Sequence, residues 1–146
     1  MNPQSAIPQF RDTIAPTSLH HLVNHLSDDL APAARRNKNL IINNVPEDIC
    51  SEINQNLVAS VLSRLINVII MHTAENSCIR ISAKMFGNLV LLHVKDDGYL
   101  NYDSISNNLA EIQSQAEKMG GFVGFTSYRN KLTTIAFSFM NIPKAA

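Results

Sequence analysis

The stretch from Asn54 to Thr73 constrains this chain more than any other. Leu57, Val61, Leu62, Leu65, Ile66, Ile69 and Ile70 recur at three- and four-residue steps, which is the period of a helix. The run is too long for a strand. Its apolar arc is so wide that the helix is expected to lie at the centre of the molecule, buried on most sides. Strand signals follow it. Cys78 to Lys84 alternates, with Ile79, Ile81 and Ala83 on one side. Phe86-Gly87-Asn88 reads as a turn, and Leu89 to Lys95 is apolar on both sides, as a central strand would be.

The remaining elements fall around this core. Leu19, Leu22, Val23, Leu26 and Leu30 give a first helix from about Ser18 to Arg36, with Thr17 or Ser18 able to cap it. Residues Asn39 to Val45 predict a short strand, broken by Pro46-Glu47-Asp48. Asp96-Asp97-Gly98 signals a turn. Ile105, Leu109, Ile112, Ala116 and Met119 predict a third helix from about Ser104 to Met119, stopped by Gly120-Gly121 in a left-handed cap. Two strands, Phe122 to Ser127 and Thr133 to Met140, close the chain around a turn at Tyr128 to Lys131. Short hairpins mixed with helices argue for an α+β fold. The expectation is a two-layer α/β sandwich with helices on one face of a mostly antiparallel mixed sheet. Residues 1–16 carry three prolines and no periodicity, and read as an extended or disordered arm before a single domain over 17–146.

Composition excludes several classes of function. Twelve basic residues balance twelve acidic ones, so nothing suggests a nucleic-acid partner. The cluster Arg35, Arg36 and Lys38 falls where the first helix should end, where cations complement the helix dipole. Cys50 and Cys78 have no paired spacing and read as buried free thiols. No signal-peptide pattern opens the chain, and no apolar run approaches the roughly 18 residues that span a bilayer. A cytoplasmic location without membrane insertion is the expectation.

Three segments in order carry a resemblance: Leu57 to Thr73, then Val94-Lys95-Asp96-Asp97-Gly98, then Leu109 to Ser127 with its Gly120-Gly121. Together they resemble the ATP-binding domain of histidine kinases, within the group that includes gyrase, Hsp90 and MutL (the Bergerat fold). Thr133 to Phe137, running to Ile142-Pro143, resembles the last strand of that family. Val45 to Ile49 and the first helix resemble its lead-in. The resemblance implies a nucleotide pocket whose remnants are Asp96, Gly98, Arg64, Val68 and Thr133. Asp96 matches the aspartate that accepts from an adenine amino group, and Gly98 the first glycine after it. An Asp-Asp-Gly sequence also makes a good turn whatever the function, so both readings of Asp96 stand.

The departures from the pattern bear on function. Val68 falls where the family's asparagine gives an oxygen to Mg²⁺, an ion that demands oxygen ligands. Arg64 falls where another polar residue is common. Met71 replaces a basic residue, and Leu100 replaces the second glycine. The glycine-rich lid that wraps phosphates with backbone N–H groups has no counterpart between Tyr99 and Asn108. Among the histidines, His21 and His25 stand four apart but lack a third metal ligand. Neither His20 nor His21 has the acidic residue and proline of a phosphoacceptor signature. These read as exposed helix histidines, with His72 at a helix end and His93 in a strand.

The resulting expectation is a degenerate, free-standing domain of this type, serving signalling as a binding or scaffold module. No catalytic residue, metal or cofactor is expected, and Mg-ATP would bind weakly or not at all. Its partner would be a signalling protein such as a response regulator, a kinase or a sigma-factor regulator, and the apolar helix faces would also allow a homodimer. Two alternatives remain: an ATP-dependent protein kinase of the anti-sigma or histidine-kinase type, and a sensor of a purine or nucleoside-like ligand held by Asp96.

Overall fold

The computed structural model describes residues 17–51, 55–128 and 132–141. The segment 1–16 and the Ile142-Pro143 ending lie outside them. The elements in chain order are β1 (Thr17–Ser18), α1 (Leu19–Arg36), β2 (Leu40–Asn43), β3 (Cys50–Ser51), α2 (Gln55–His72), β4 (Cys78–Phe86), β5 (Leu89–Asp96), α3 (Tyr102–Glu117), β6 (Phe122–Tyr128) and β7 (Leu132–Met140).

Five strands form one sheet in the order β2-β4-β5-β7-β6. The β2–β4 pair is parallel and every other pair antiparallel, which gives the mixed sheet expected. β1 and β3 make a separate two-stranded ribbon where the chain enters α1. The three helices cover one face. α1 packs beside β2, α3 beside β6, and α2 lies between them in contact with both helices.

Helix α2 is buried as its wide stripe requires. Leu62, Leu65, Ile66 and Ile69 are inaccessible to solvent, and they join Ile79, Ile81, Leu92, Ile135 and Phe137 of the sheet in one apolar core. Leu57, assigned to the stripe from its spacing, is instead 43% exposed. It lies in the first turn of α2, whose buried side there is supplied by Gln55 and Val58.

Turn chemistry sets the element ends. Gly87 takes φ +60 in the two-residue turn between β4 and β5, a conformation that a Cβ disfavours. α1 ends as Lys38 turns left-handed at φ 56, while Asn39 N–H bonds the Ala34 carbonyl at 2.8 Å. The Asn37 side chain then donates to the carbonyls of Ile70 and Thr73, satisfying last-turn acceptors of α2 that have no helical partner. Gly120 adopts φ +75 after α3, and Gly121 N–H reaches the Ala116 carbonyl at 2.8 Å, the left-handed stop that the Gly-Gly pair signalled.

Helix α3 begins at Tyr102 rather than near Ser104 and ends at Glu117 rather than Met119. The Asn101 side chain caps it by accepting from Asp103 N–H at 2.9 Å, which extends the helix one step beyond its apolar stripe.

Replacing Phe137, fully buried, with Ala should cost ~3–5 kcal/mol through lost transfer energy and an unfilled cavity. The same truncation at exposed Leu57 should cost about 1 kcal/mol or less. Urea unfolding of the two variants checks the contrast.

Candidate functional site

Asp96 is the last residue of β5, and its side chain faces the helices from an otherwise apolar row. It is fully buried. Opposite it across the ladder stands Thr133 of β7, which is 1% exposed. Thr73, just past the end of α2, donates its hydroxyl proton to Asp96 Oδ2. Thr73 Oγ1 also lies 3.4 Å from Ser77 Oγ, and Ser77 and the Gly98 backbone stand near enough to favour the ionised carboxylate. Asn39 Nδ2 in turn donates to Ser77 Oγ at 2.9 Å. The result is a small polar network where β5, β7 and the chain leaving α2 converge.

Opposing forces act on this carboxyl. Burial, the largest, raises its pKa above the ordinary aspartate value. Thr73, Ser77 and Gly98 favour the ionised form but do not offset burial, and the neighbouring Asp97 charge raises the pKa further. Oδ1 is buried and has no hydrogen-bond partner. One oxygen is therefore anchored to the protein while the other is an acceptor left open.

Gly98 belongs to the same arrangement. A Cβ built there would come within 2.5 Å of Thr73 Oγ1 and 2.7 Å of Ser77 Cβ, so the turn after β5 closes onto the network only because that residue has no side chain. The fold thus brings Asp96, Gly98 and Thr133 together, and adds Thr73 and Ser77, which sequence reasoning missed. Their signal was slight: two small hydroxyl residues directly after a long apolar helix.

Arg64 and Val68 take different places. Val68 is buried with the apolar core and offers no oxygen. Arg64 is exposed and bridges to α3, donating to Gln115 Oε1 at 2.7 Å and pairing with Glu111 at 3.4 Å. Gln115 also donates to Ser60 Oγ at 2.6 Å. These bonds tie α2 to α3 rather than pointing to Asp96. Met71 is exposed at the end of α2.

The link from β5 to α3 is only residues 97–101. Leu100, which the resemblance sets against the second glycine, is 3% exposed and packed with the core. Val68 offers no oxygen to a metal, and the link between β5 and α3 contains one glycine, Gly98.

The histidines sort by contact. His20, expected to be exposed, is half-buried, and its Nδ1 lies 2.7 Å from the Val45 carbonyl. His21 and His25 are exposed on α1. His72 Nδ1 lies 3.0 Å from the Val68 carbonyl. Among the described residues, no group of three or more His, Cys, Asp or Glu is placed to hold a metal ion. Cys50 and Cys78 are both free and half-buried. No described helix is long and apolar enough to cross a membrane.

No family model matches the sequence, and no curated protein matches it. Solved structures do. The Acinetobacter baumannii histidine kinase AdeS superposes with a TM-score of 0.75 at 12% identity, over 87% of this chain and 66% of that one. The nucleotide-free catalytic domain of histidine kinase ThkA gives 0.75 at 17% identity, over 90% of this chain and 99% of that domain. ThkA in complex with the response regulator TrrA gives 0.73 at 17% identity, over 90% of this chain and 43% of that one. This chain has the histidine-kinase catalytic-domain fold. In that fold the described elements account for nearly a whole catalytic domain, as the ThkA coverage shows, and the α+β architecture is the one expected.

Because the folded-state pKa of Asp96 is raised, the unfolded chain releases its proton first as pH rises. The native state is then destabilised across the window beginning near the ordinary value of 3.8, and the penalty stays in place above the folded pKa. Asp96→Asn keeps an acceptor for Thr73 and removes the charge. Its stability relative to the parent should therefore increase between pH 4 and pH 8, measured by thermal unfolding at each pH.

Proposed function

We propose that this chain is a protein-binding module of a signalling system, one that keeps the histidine-kinase catalytic fold without productive Mg-ATP chemistry. The observation that carries this reading is the direct passage from β5 to α3. α3 starts at Tyr102, and Leu100 is buried in the core where the resemblance calls for a glycine beside phosphate. Val68 in the apolar layer supports it from the metal side.

The partner class is a signalling protein, with a response regulator the leading candidate. ThkA, which shares the fold, has been solved in complex with a response regulator. A domain that retains this framework and lacks phosphate-handling groups can still offer its surfaces to such a partner.

A second reading has its own support in Asp96. A buried carboxyl oxygen without a donor is costly, about 1–3 kcal/mol or more, and is the type of atom that an exocyclic amine would satisfy. On this reading the chain senses a purine or nucleoside-like ligand, and Asp96 selects it.

Thermal unfolding with excess Mg-ATP, ADP or adenosine separates these readings. A ligand at 100 times its Kd adds about 2.7 kcal/mol, which raises Tm by several degrees in a domain of this size. The binding-module reading expects no shift with any of the three. A Mg-dependent shift with ATP would overturn it in favour of a kinase. A shift with adenosine that disappears in Asp96→Ala would establish the sensor.

A further inference from the structure

The face of the sheet turned away from the helices is open, with no described element lying across it. Its outward residues follow from the strand registers in cross-strand rows, the last of which pairs exposed Tyr128 of β6 with Leu132 of β7 beyond the basic end. At one end Phe86, Leu89 and Met140 align, and the next row contains Leu91 and Phe122 beside Lys84. Phe86, Phe122 and Met140 are 57%, 62% and 46% exposed. At the other end Arg80 and Lys95 are paired across β4 and β5, both exposed. With strand residues rising about 3.4 Å each, the apolar end and the basic pair stand roughly 20 Å apart.

The strand positions of this face carry one sign of charge, with exposed Asp97 just past β5 bonded to the Cys78 N–H at 2.6 Å beside them. Arg80, Lys84 and Lys95 project from it, and the outward positions of β4, β5, β6 and β7 include no Asp or Glu. None of the three cations has an ion-pair partner among the described residues. The acidic side chains of the helical layer, such as Asp28, Asp29, Asp103, Glu111 and Glu117, are on α1 and α3. Within a chain of zero formal charge the outward strand positions thus carry a local positive field, while the helical layer holds both signs, with Arg35 and Arg36 on α1 and Arg64 on α2. His93, in the row between the apolar and basic ends, registers that field: burial lowers its pKa, and Lys95 and Lys84 lower it further.

We propose that this open sheet face docks an acidic protein segment bearing apolar side chains, its acids toward Arg80 and Lys95 and its apolar end over Phe86, Phe122 and Met140. The proposal rests on the binding-module reading and assigns that module its contact surface. Charge complementarity selects this occupant. A second copy stacked face to face would oppose cation to cation. The chain's own residues 1–16 carry a single Asp and a single Arg, so they have no acidic excess to offer. A nucleic-acid strand would need cations spaced along its whole track, whereas the basic pair here is separated from most of the aromatic surface.

The experiment uses the full chain, isotopically labelled, and a synthetic peptide with a Glu/Asp run at one end and Phe and Leu at the other. Amide shifts should change along the outward positions of β4 to β7, with binding that weakens as salt rises. A combined Arg80→Glu, Lys84→Glu, Lys95→Glu variant should raise Kd at least about tenfold while its unfolding temperature stays close to the parent's, since all three side chains are exposed. Phe122→Ser with Met140→Ser should weaken the same peptide without altering its salt dependence. No binding at millimolar peptide, shifts confined to the helical layer, or equal binding by the triple variant would each overturn the proposal. So would tighter binding of poly(U) RNA to the same face. Arg80 and Lys95 neighbour Asp96 along the strands but face away from it, Lys95 being exposed where Asp96 is buried. A Mg-ATP shift would reject the binding-module reading on its own, and loss of peptide binding without that shift would reject only this surface.

Discussion

The burial of α2 against the sheet is the constraint on which the rest of the molecule depends. A helix with apolar side chains around so much of its circumference cannot lie at a surface, and must have neighbours on several sides. The sheet supplies one through Ile79, Ile81, Leu92 and Ile135, while α1 and α3 supply the flanks. That central position sets where α2 ends, and therefore where Thr73 meets the end of β5. The polar network around Asp96 is a consequence of this packing, assembled where an apolar layer stops.

Asp96 is the exception inside that layer. Most residues on the inner sheet face are aliphatic or aromatic, and a carboxyl among them carries a desolvation cost. Thr73, Ser77 and Gly98 offset part of it, and one oxygen is left without a donor. Buried polar groups are usually satisfied, and those that are not tend to have a reason to be there. Here the anchored oxygen holds β5, the end of α2 and the β5–α3 turn in one arrangement, which is a structural role in itself. The open oxygen is what keeps a ligand-binding reading alive beside it.

The two layers differ in how they meet solvent. Helices α1 and α3 present acidic and polar side chains together with Arg35 and Arg36 at the end of α1, and the sheet presents cations and exposed aromatics on its far side. In a neutral chain the three cations give the outward strand face a local positive field that net charge alone conceals.

Much of the fold was legible in the sequence because its cues are local. The period of α2, the alternation of β4, Gly87 in its turn and the Gly120-Gly121 stop all act within a few residues, where sterics and solvent contact dominate. That Val68 has no oxygen and Leu100 carries a Cβ was equally legible, since these are intrinsic properties of the side chains. The rest depended on contacts between distant segments. Leu57 has the spacing of a core residue, yet the axial position of α2 leaves it exposed. The extra step of α3 came from the Asn101 cap. The clustering of Thr73, Ser77 and Thr133 around Asp96, the turning of Arg64 toward Glu111, and the gathering of Arg80, Lys84 and Lys95 on one open face were decided only by strand register and helix packing. Those join residues far apart in the chain, and no local pattern encodes which of them will meet.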